Sequence, residues 1–323
     1  MNDARWMAAA VALSQRGRAR TGGNPNVGCV LVKEGHVIGR GWTQSGGRPH
    51  AEAMALAEAG SAAQGATAYV SLEPCAHESA RGPSCADLLV AAGVARIVIA
   101  LQDPDPRTNG AGAALLRAAG IAVEIGVGAE EAQAAMAGWL MQQKLGRPYI
   151  TLKLATSLDG CIALANGESR WITGDAARAH GHLERARSNM ILVGRVTYDA
   201  DAPTLDVRLT GMEDRSPARA ILTKGAPPRG WHSLSAPEAV HDLDAQYLLI
   251  EGGAQAAAAF LGADLVDRLL LYRAPILLGG GKASLGDFGI TSLDAAHGRW
   301  QQSDVRSLGS DTLAVYERMR EGR

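Results

Sequence analysis

Pro49-His50-Ala51-Glu52, then Ser71-Leu72-Glu73-Pro74-Cys75, then Cys85 after nine intervening residues, decide the reading of the first half of this 323-residue chain. One imidazole and two thiolates fill three of four tetrahedral positions around Zn²⁺ at about 2.0–2.3 Å and leave the fourth for water. A metal held this way lowers the pKa of its water toward about 7. Glu52 stands two residues beyond His50, on the same first helical turn, where it can take a proton and pass it on. Pro74 suits a helix start, whose positive end would favour the Cys75 thiolate. Two alternatives stay open: a buried, apolar cysteine pair, and a closed structural zinc site with His77 as fourth ligand.

Around these residues the pattern is that of a layered α/β domain. Apolar positions at helical spacing predict a helix over 3–17, and strands 27–32 and 36–42 flank the hairpin signal Glu34-Gly35. Helices over 51–59, 85–92 and 113–119 each stop at a glycine (Gly60, Gly93, Gly120), and strands 67–72, 95–101 and 121–125 alternate with them. A helix over 130–144 runs into Gly146-Arg147-Pro148, and proline disfavours helix in the residue before it. This places the boundary between two domains, 1–146 and 147–323. The second half restarts with strands 149–155 and 161–164, a helix over 175–188 and a strand over 190–193. Residues 202–240 are expected to be mostly loop with one short strand at 220–222. Strand 247–250, an Ala-rich helix to about 261, and strands 266–278 and 311–316 complete a second sheet.

Charge and composition exclude several classes. Lys and Arg number 32 against 33 Asp and Glu, and residues 1–145 carry 12 of each. Neither half has the basic excess that nucleic-acid binding requires. No apolar run reaches the roughly 18 residues of a membrane span, and the polar, acidic start MNDARWMAAAVALSQRGR argues against a signal peptide. Cys29 lies in an apolar strand and reads as core, while the other cysteines suit metal or catalytic use better than a disulfide frame. The expected setting is the cytoplasm, with a small-molecule substrate, no nucleic acid or membrane partner, and a homo-oligomeric assembly.

His-x-Glu followed by Pro-Cys and a second Cys is the pattern of zinc deaminases. The long segment Ala76-His77-Glu78-Ser79-Ala80-Arg81-Gly82-Pro83-Ser84 between the cysteines resembles the bifunctional riboflavin-pathway deaminase–reductase (RibD) family, whose segment is one residue shorter. Asn24-Pro25-Asn26-Val27-Gly28-Cys29-Val30, Ala91-Ala92-Gly93-Val94-Ala95-Arg96 and Asp103-Pro104-Asp105-Pro106 resemble the same family. The resemblance implies a cytidine-deaminase-like three-layer domain with His50, Cys75 and Cys85 as zinc ligands, Glu52 as proton shuttle, and Asn24, His77 and Arg81 near the substrate. Read from the residues alone, Asn24-Pro25-Asn26 is equally a turn, and Arg81 a solvated charge.

In the second half, Gly279-Gly280-Gly281 opens no clear helix, so a Rossmann reading is weak. Gly194-Arg195-Val196-Thr197 after a buried strand resembles the Gly-Arg-x-Thr turn of dihydrofolate reductases, where arginine can pair with the 2′-phosphate of NADPH. Lys153-Leu154-Ala155-Thr156-Ser157-Leu158-Asp159-Gly160, Gly167-Glu168-Ser169-Arg170-Trp171-Ile172-Thr173 and Asp201-Ala202-Pro203-Thr204-Leu205-Asp206-Val207-Arg208 resemble the riboflavin-pathway reductase domain, which has a dihydrofolate-reductase-like α/β fold. That resemblance implies NADPH contacts from Ala155, Trp171, Arg195, Thr197, Asp201 and the turn Gly253, Ala254, Gln255, Ala256, Ala257, Ala258 and Ala259. It implies substrate contacts from Ser169, Arg185, Leu205, Arg208 and Glu251, with Arg185 and Arg208 as phosphate clamps. Arg185 is otherwise an exposed helix charge, Trp171 core, and the Gly252-Gly253 pair a turn device; the role of Asp159 is open. The implied activity is zinc-dependent deamination of a diaminopyrimidine ribosyl phosphate followed by NADPH-dependent reduction of its ribosyl group. The other readings are a deaminase of another base with an inactive second domain, and a zinc-stabilised binding module.

Overall fold

The computed structural model describes residues 2–77 and 82–320. The chain divides into two compact units, Met1–Gly146 and Arg147–Arg323. Among the described residues no helix is long and apolar enough to cross a membrane.

The first unit runs α1 (Asp3–Ser14), β1 (Gly28–Lys33), β2 (His36–Trp42), α2 (Ala51–Ala59), β3 (Thr67–Val70), α3 (Cys85–Ala91), β4 (Arg96–Ile99), α4 (Ala111–Ala118), β5 (Ala122–Ile125), α5 (Ala129–Ala135) and α6 (Ala137–Leu145). The sheet order is β2-β1-β3-β4-β5, antiparallel from β2 to β3 and parallel from β3 to β5. The helices cover it over a core of Met7, Leu31, Leu89, Ile97, Leu116 and Met136, all fully buried, with Cys29 among them. The single helix expected over 130–144 is two: Met136 leaves helical geometry (φ −108°, ψ 17°) and is wholly buried.

Two glycines of β2 decide where α2 lies. A Cβ on Gly41 would stand 2.0 Å from the Ala51 carbonyl oxygen, and one on Gly39 2.2 Å from that of Ala55. Only a strand without side chains at these positions lets the Ala-rich face of α2 come so close. The first turn of α2, which carries His50 and Glu52, is thereby set against the sheet.

The second unit runs β6 (Tyr149–Thr156), β7 (Cys161–Ala163), α7 (Asp175–Ala186), β8 (Met190–Gly194), α8 (Arg195–Asp201), β9 (Ala218–Leu222), β10 (His232–Leu234), β11 (Tyr247–Ile250), α9 (Ala254–Gly262), β12 (Arg268–Arg273), β13 (Lys282–Ala283), α10 (Leu293–Ala296), β14 (Trp300–Leu308) and β15 (Asp311–Arg318). Eight strands form one sheet in the order β10-β9-β8-β11-β6-β12-β15-β14, parallel from β10 to β12, with β15 and β14 antiparallel at one end. β7 and β13 pair separately as a short antiparallel ribbon. The buried, aliphatic β6, β8 and β11 match the sequence reading; β10, β14 and α8 were not foreseen in it.

Candidate metal centre and reductase cavity

His50 is the residue before α2, Glu52 lies in the first turn of α2, and Cys85 opens α3. The Nδ1 of His50 stands 3.3 Å from the Cys85 Sγ and 3.7 Å from the Cys75 Sγ. All three ligand atoms lie within 4.8 Å of one another. No helix begins at Pro74, contrary to expectation: residues 73–77 are irregular. The Cys75 sulfur instead accepts the backbone N–H of Cys85 at 3.3 Å. A hydrogen bond with the Cys85 thiol, and then His50, hold the Cys75 thiol down at about 4, while that same bond and burial push the Cys85 thiol up. Burial raises the Glu52 carboxyl above its ordinary value against the pull of His50.

This donor set fits zinc: one nitrogen and two sulfurs converge in a largely buried site. Among the described residues His77 is not part of the cluster. Its Nδ1 is buried without a hydrogen-bond partner among them, which suits a group that meets a ligand better than a satisfied core histidine. The amide of Asn24 donates to the carbonyls of Thr21 at 3.0 Å and Gly22 at 3.3 Å, within its own turn. Arg81 lies outside the described residues. Glu73, which the sequence reading gave no role, is buried and accepts the backbone N–H groups of Asp103, Gly110 and Ala113 at 2.9–3.2 Å. It thus fixes the loop after β4 beside the segment that delivers Cys75.

In the second unit a cavity of about 910 Å³ opens at the ends of β6, β8 and β11. Ala155, Trp171, Arg195, Thr197, Asp201, Gly253, Ala254, Gln255 and Ala256 line it, as do Ser169, Arg185, Leu205, Arg208 and Glu251. Ala257, Ala258 and Ala259 do not. Ala257 and Ala258 are buried on the inner face of α9, a consequence of helical periodicity that the family resemblance alone did not resolve. Trp171 is not core: it is 63% exposed, beside the guanidinium of Arg178 at 4.8 Å.

The floor is a glycine cradle. A Cβ on Gly252 would stand 2.9 Å from the Ala256 Cβ, and the Gly253 N–H donates to the Thr197 hydroxyl at 2.9 Å. Bare backbone beside the start of α9 is the kind of surface a dinucleotide phosphate approaches, so the cavity's size and lining fit NADPH. Arg195 extends along the same wall, its guanidinium on the Thr223 hydroxyl at 3.3 Å and the Ala226 carbonyl at 2.5 Å.

Arg185 lines the cavity already paired with a carboxylate. Its Nε and Nη2 meet the two oxygens of Glu251 at 2.7 and 2.8 Å, and its Nη1 meets the Asp206 carbonyl at 3.0 Å. The fork orients the Glu251 carboxylate and leaves two guanidinium N–H groups on the cavity wall. Lys153, a residue the sequence reading quoted but gave no task, lies 3.8 Å from Glu251 and 5.7 Å from the centre of the Tyr272 ring, and lines the cavity. A lysine at an inward position of an otherwise apolar central strand was the available signal.

Comparison with known proteins matches residues 1–101 to the cytidine and deoxycytidylate deaminase zinc-binding region and residues 148–314 to the RibD C-terminal domain. The riboflavin biosynthesis protein RibD of Escherichia coli is 39% identical, with 96% of this chain and 98% of that protein covered. RibD of Mycobacterium tuberculosis is 38% identical over 95% of each. Among solved structures, Acinetobacter baumannii RibD superposes with a TM-score of 0.86 at 37% identity, covering 98% of this chain and 99% of that one. A diaminohydroxyphosphoribosylaminopyrimidine deaminase/5-amino-6-(5-phosphoribosylamino)uracil reductase from Thermotoga maritima does so with a TM-score of 0.87 at 29% identity and the same coverage. With a deaminase zinc site in its first unit and a RibD C-terminal domain in its second, the chain belongs to the RibD family of riboflavin-biosynthesis enzymes.

Proposed function

We propose that this chain catalyses two successive steps of riboflavin biosynthesis: hydrolytic deamination of 2,5-diamino-6-ribosylamino-4(3H)-pyrimidinone 5′-phosphate, then NADPH-dependent reduction of the ribosyl group to ribityl. The observation that carries the first step is the convergence of His50, Cys75 and Cys85 with the buried carboxylate of Glu52 beside them. Zinc held by these three side chains supplies the Lewis acidity that makes water nucleophilic near neutral pH. Glu52 carries one proton from the attacking water to the pyrimidine ring nitrogen and then a second, from the hydroxyl left on the ring carbon, to the departing amine, so water enters and ammonia leaves. His77 faces the substrate. The enzyme works in the cytoplasm, where Cys75 and Cys85 stay reduced for the metal.

The second step takes place in the cavity between β6, β8 and β11. NADPH supplies the hydride. The cradle of Gly252 and Gly253 with Thr197 would take the cofactor's phosphates, and Arg195 would pair with the 2′-phosphate. Lys153, oriented by Glu251 and the Tyr272 ring, hands a proton to the sugar oxygen as the ring opens. Glu251, held by Arg185, positions the ribosyl hydroxyls. Arg208, exposed on the cavity wall, and Arg185 are the candidates for the substrate phosphate.

Mass spectrometry of products from zinc-loaded protein tests both steps. Without NADPH, an amino group should be replaced by oxygen; with NADPH, two further hydrogens should appear. Glu52→Gln is expected to lower deamination by roughly 10²–10⁴-fold while zinc content stays that of the parent. Full activity in that variant would remove Glu52 from the mechanism.

A further inference from the structure

Two stretches remain without a task in this scheme: the carboxylate of Asp159, and Gly279-Gly280-Gly281-Lys282. In the structure they form one device. The Asp159 carboxylate accepts the Ser157 hydroxyl at 2.5 Å and the backbone N–H groups of Gly279 at 2.8 Å and Leu278 at 3.2 Å. The Leu158 N–H donates to the Ile276 carbonyl at 2.8 Å, and the Ser284 N–H to the Gly160 carbonyl at 3.0 Å. Between these anchors β13 pairs with β7. A Cβ on Gly281 would stand 2.5 Å from the Ala163 carbonyl oxygen, so the backbone is pressed onto β7 as only glycine permits. The strap is therefore built, and it has one product: it holds Lys282 on the rim of the reductase cavity. The Lys282 Nζ lies 3.3 Å from where a Cβ on Gly167 would be, and both residues line that cavity.

The charges around the cavity single Lys282 out. Lys153 and Arg185 share Glu251, and Arg178 pairs with Asp175. Arg170 reaches Asp201 at 3.6 Å, Arg195 reaches Asp199 at 3.5 Å, and Arg208 reaches Asp206 at 3.7 Å. Among the described residues Lys282 has no such carboxylate. A cation that its own fold leaves unbalanced, held at the mouth of a concave site, raises the local concentration of anions and is available to contact them.

We propose that Lys282 contacts a phosphate group of a reductase ligand, and that Asp159 is the positioning residue that holds the strap bearing it. This rests on the reductase reading above. The chemistry recognised is a phosphate ester or pyrophosphate, which both the dinucleotide and the substrate carry.

The test is binding and kinetics of full-length, zinc-loaded Lys282→Met and Lys282→Arg against the parent, with NADPH, NADH and the deaminated pyrimidine ribosyl phosphate as probes. Lys282→Met is expected to weaken one ligand by about five- to twentyfold and to flatten that ligand's dependence on ionic strength. Lys282→Arg should restore most of it, and deamination should be unchanged. Weakened NADPH with unchanged NADH assigns the 2′-phosphate, and equal weakening of both dinucleotides assigns the pyrophosphate. A raised KM for the pyrimidine alone assigns the substrate's 5′-phosphate. Asp159→Asn should weaken the same ligand, and the double variant should be no worse than Lys282→Met, because the two act as one unit. If the parent binds NADPH and reduces the substrate while Lys282→Met does the same with unchanged constants, the proposal is wrong and the reductase reading stands. If the parent neither binds nor reduces, the reductase reading itself falls.

Discussion

The guanidinium of Arg185 and the carboxylate of Glu251 make a two-bond pair on the wall of the reductase cavity, and Lys153 joins from the other side. Burial alone would push the Glu251 carboxyl up, but Lys153 and then Arg185 outweigh it and hold it at about 2. Glu251 is therefore an anion throughout the working pH range, able to accept hydrogen bonds from sugar hydroxyls but not to donate a proton. In the proposed mechanism the proton for ring opening comes from Lys153, which lines the same cavity 3.8 Å from Glu251. Lys153→Met is expected to lower the reduction rate by roughly 10²–10⁴-fold with NADPH affinity and deamination retained. Stopped-flow reduction of the pre-deaminated substrate, with cofactor fluorescence as the binding readout, checks this. An unchanged rate would transfer the proton to another group.

Elements were legible where their physical signals were strong. The helix over Ala51–Ala59 announced its end with Gly60, and β11 stood out as four consecutive buried apolar residues. β14 was missed because it lies at the edge of its sheet: six of its nine residues are exposed, and Gln301-Gln302-Ser303-Asp304 carries no apolar alternation. α8 buries none of its residues, so it has no apolar stripe to show. The break between α5 and α6 falls at Met136, a good helix former that is wholly buried, so no local sequence signal marked it. At the candidate metal centre the zinc-deaminase motif named the three side chains that converge, but not the donor that steadies Cys75. It is a backbone N–H brought back by α3, not a helix dipole at Pro74.

The close approach of β2 and α2 gives a prediction at this scale. Gly41→Ala would drive a methyl group into the Ala51 carbonyl, in the turn that carries His50 and Glu52. It is expected to cost about 1–3 kcal/mol of stability and to impair zinc retention far more than NADPH binding. Thermal unfolding and metal analysis of the purified variant read both effects. Normal zinc content with normal stability would mean that α2 can shift without disturbing the site.

Taken whole, the molecule keeps its two chemistries in separate compact units, each with its own core. Removing zinc with a strong chelator is therefore expected to abolish deamination and leave reduction of the pre-deaminated substrate at its original rate. Adding zinc back should restore the first activity alone. Parallel loss of both would tie the reductase to the metal.

Strand order in the second sheet bears on how the protein is made. β11 lies between β8 and β6, although β8, β9 and β10 all precede it in the chain. It bridges two blocks, β10-β9-β8 and β6-β12-β15-β14, and the cavity's glycine cradle and Glu251 follow directly from its end. On the ribosome, all three candidate metal ligands have been synthesised by residue 85, while the reductase cavity lacks its middle strand until residue 250 has been added. A growing chain thus acquires its two sites in the order in which the proposed pathway uses them, and messages truncated before that strand yield at most a deaminase.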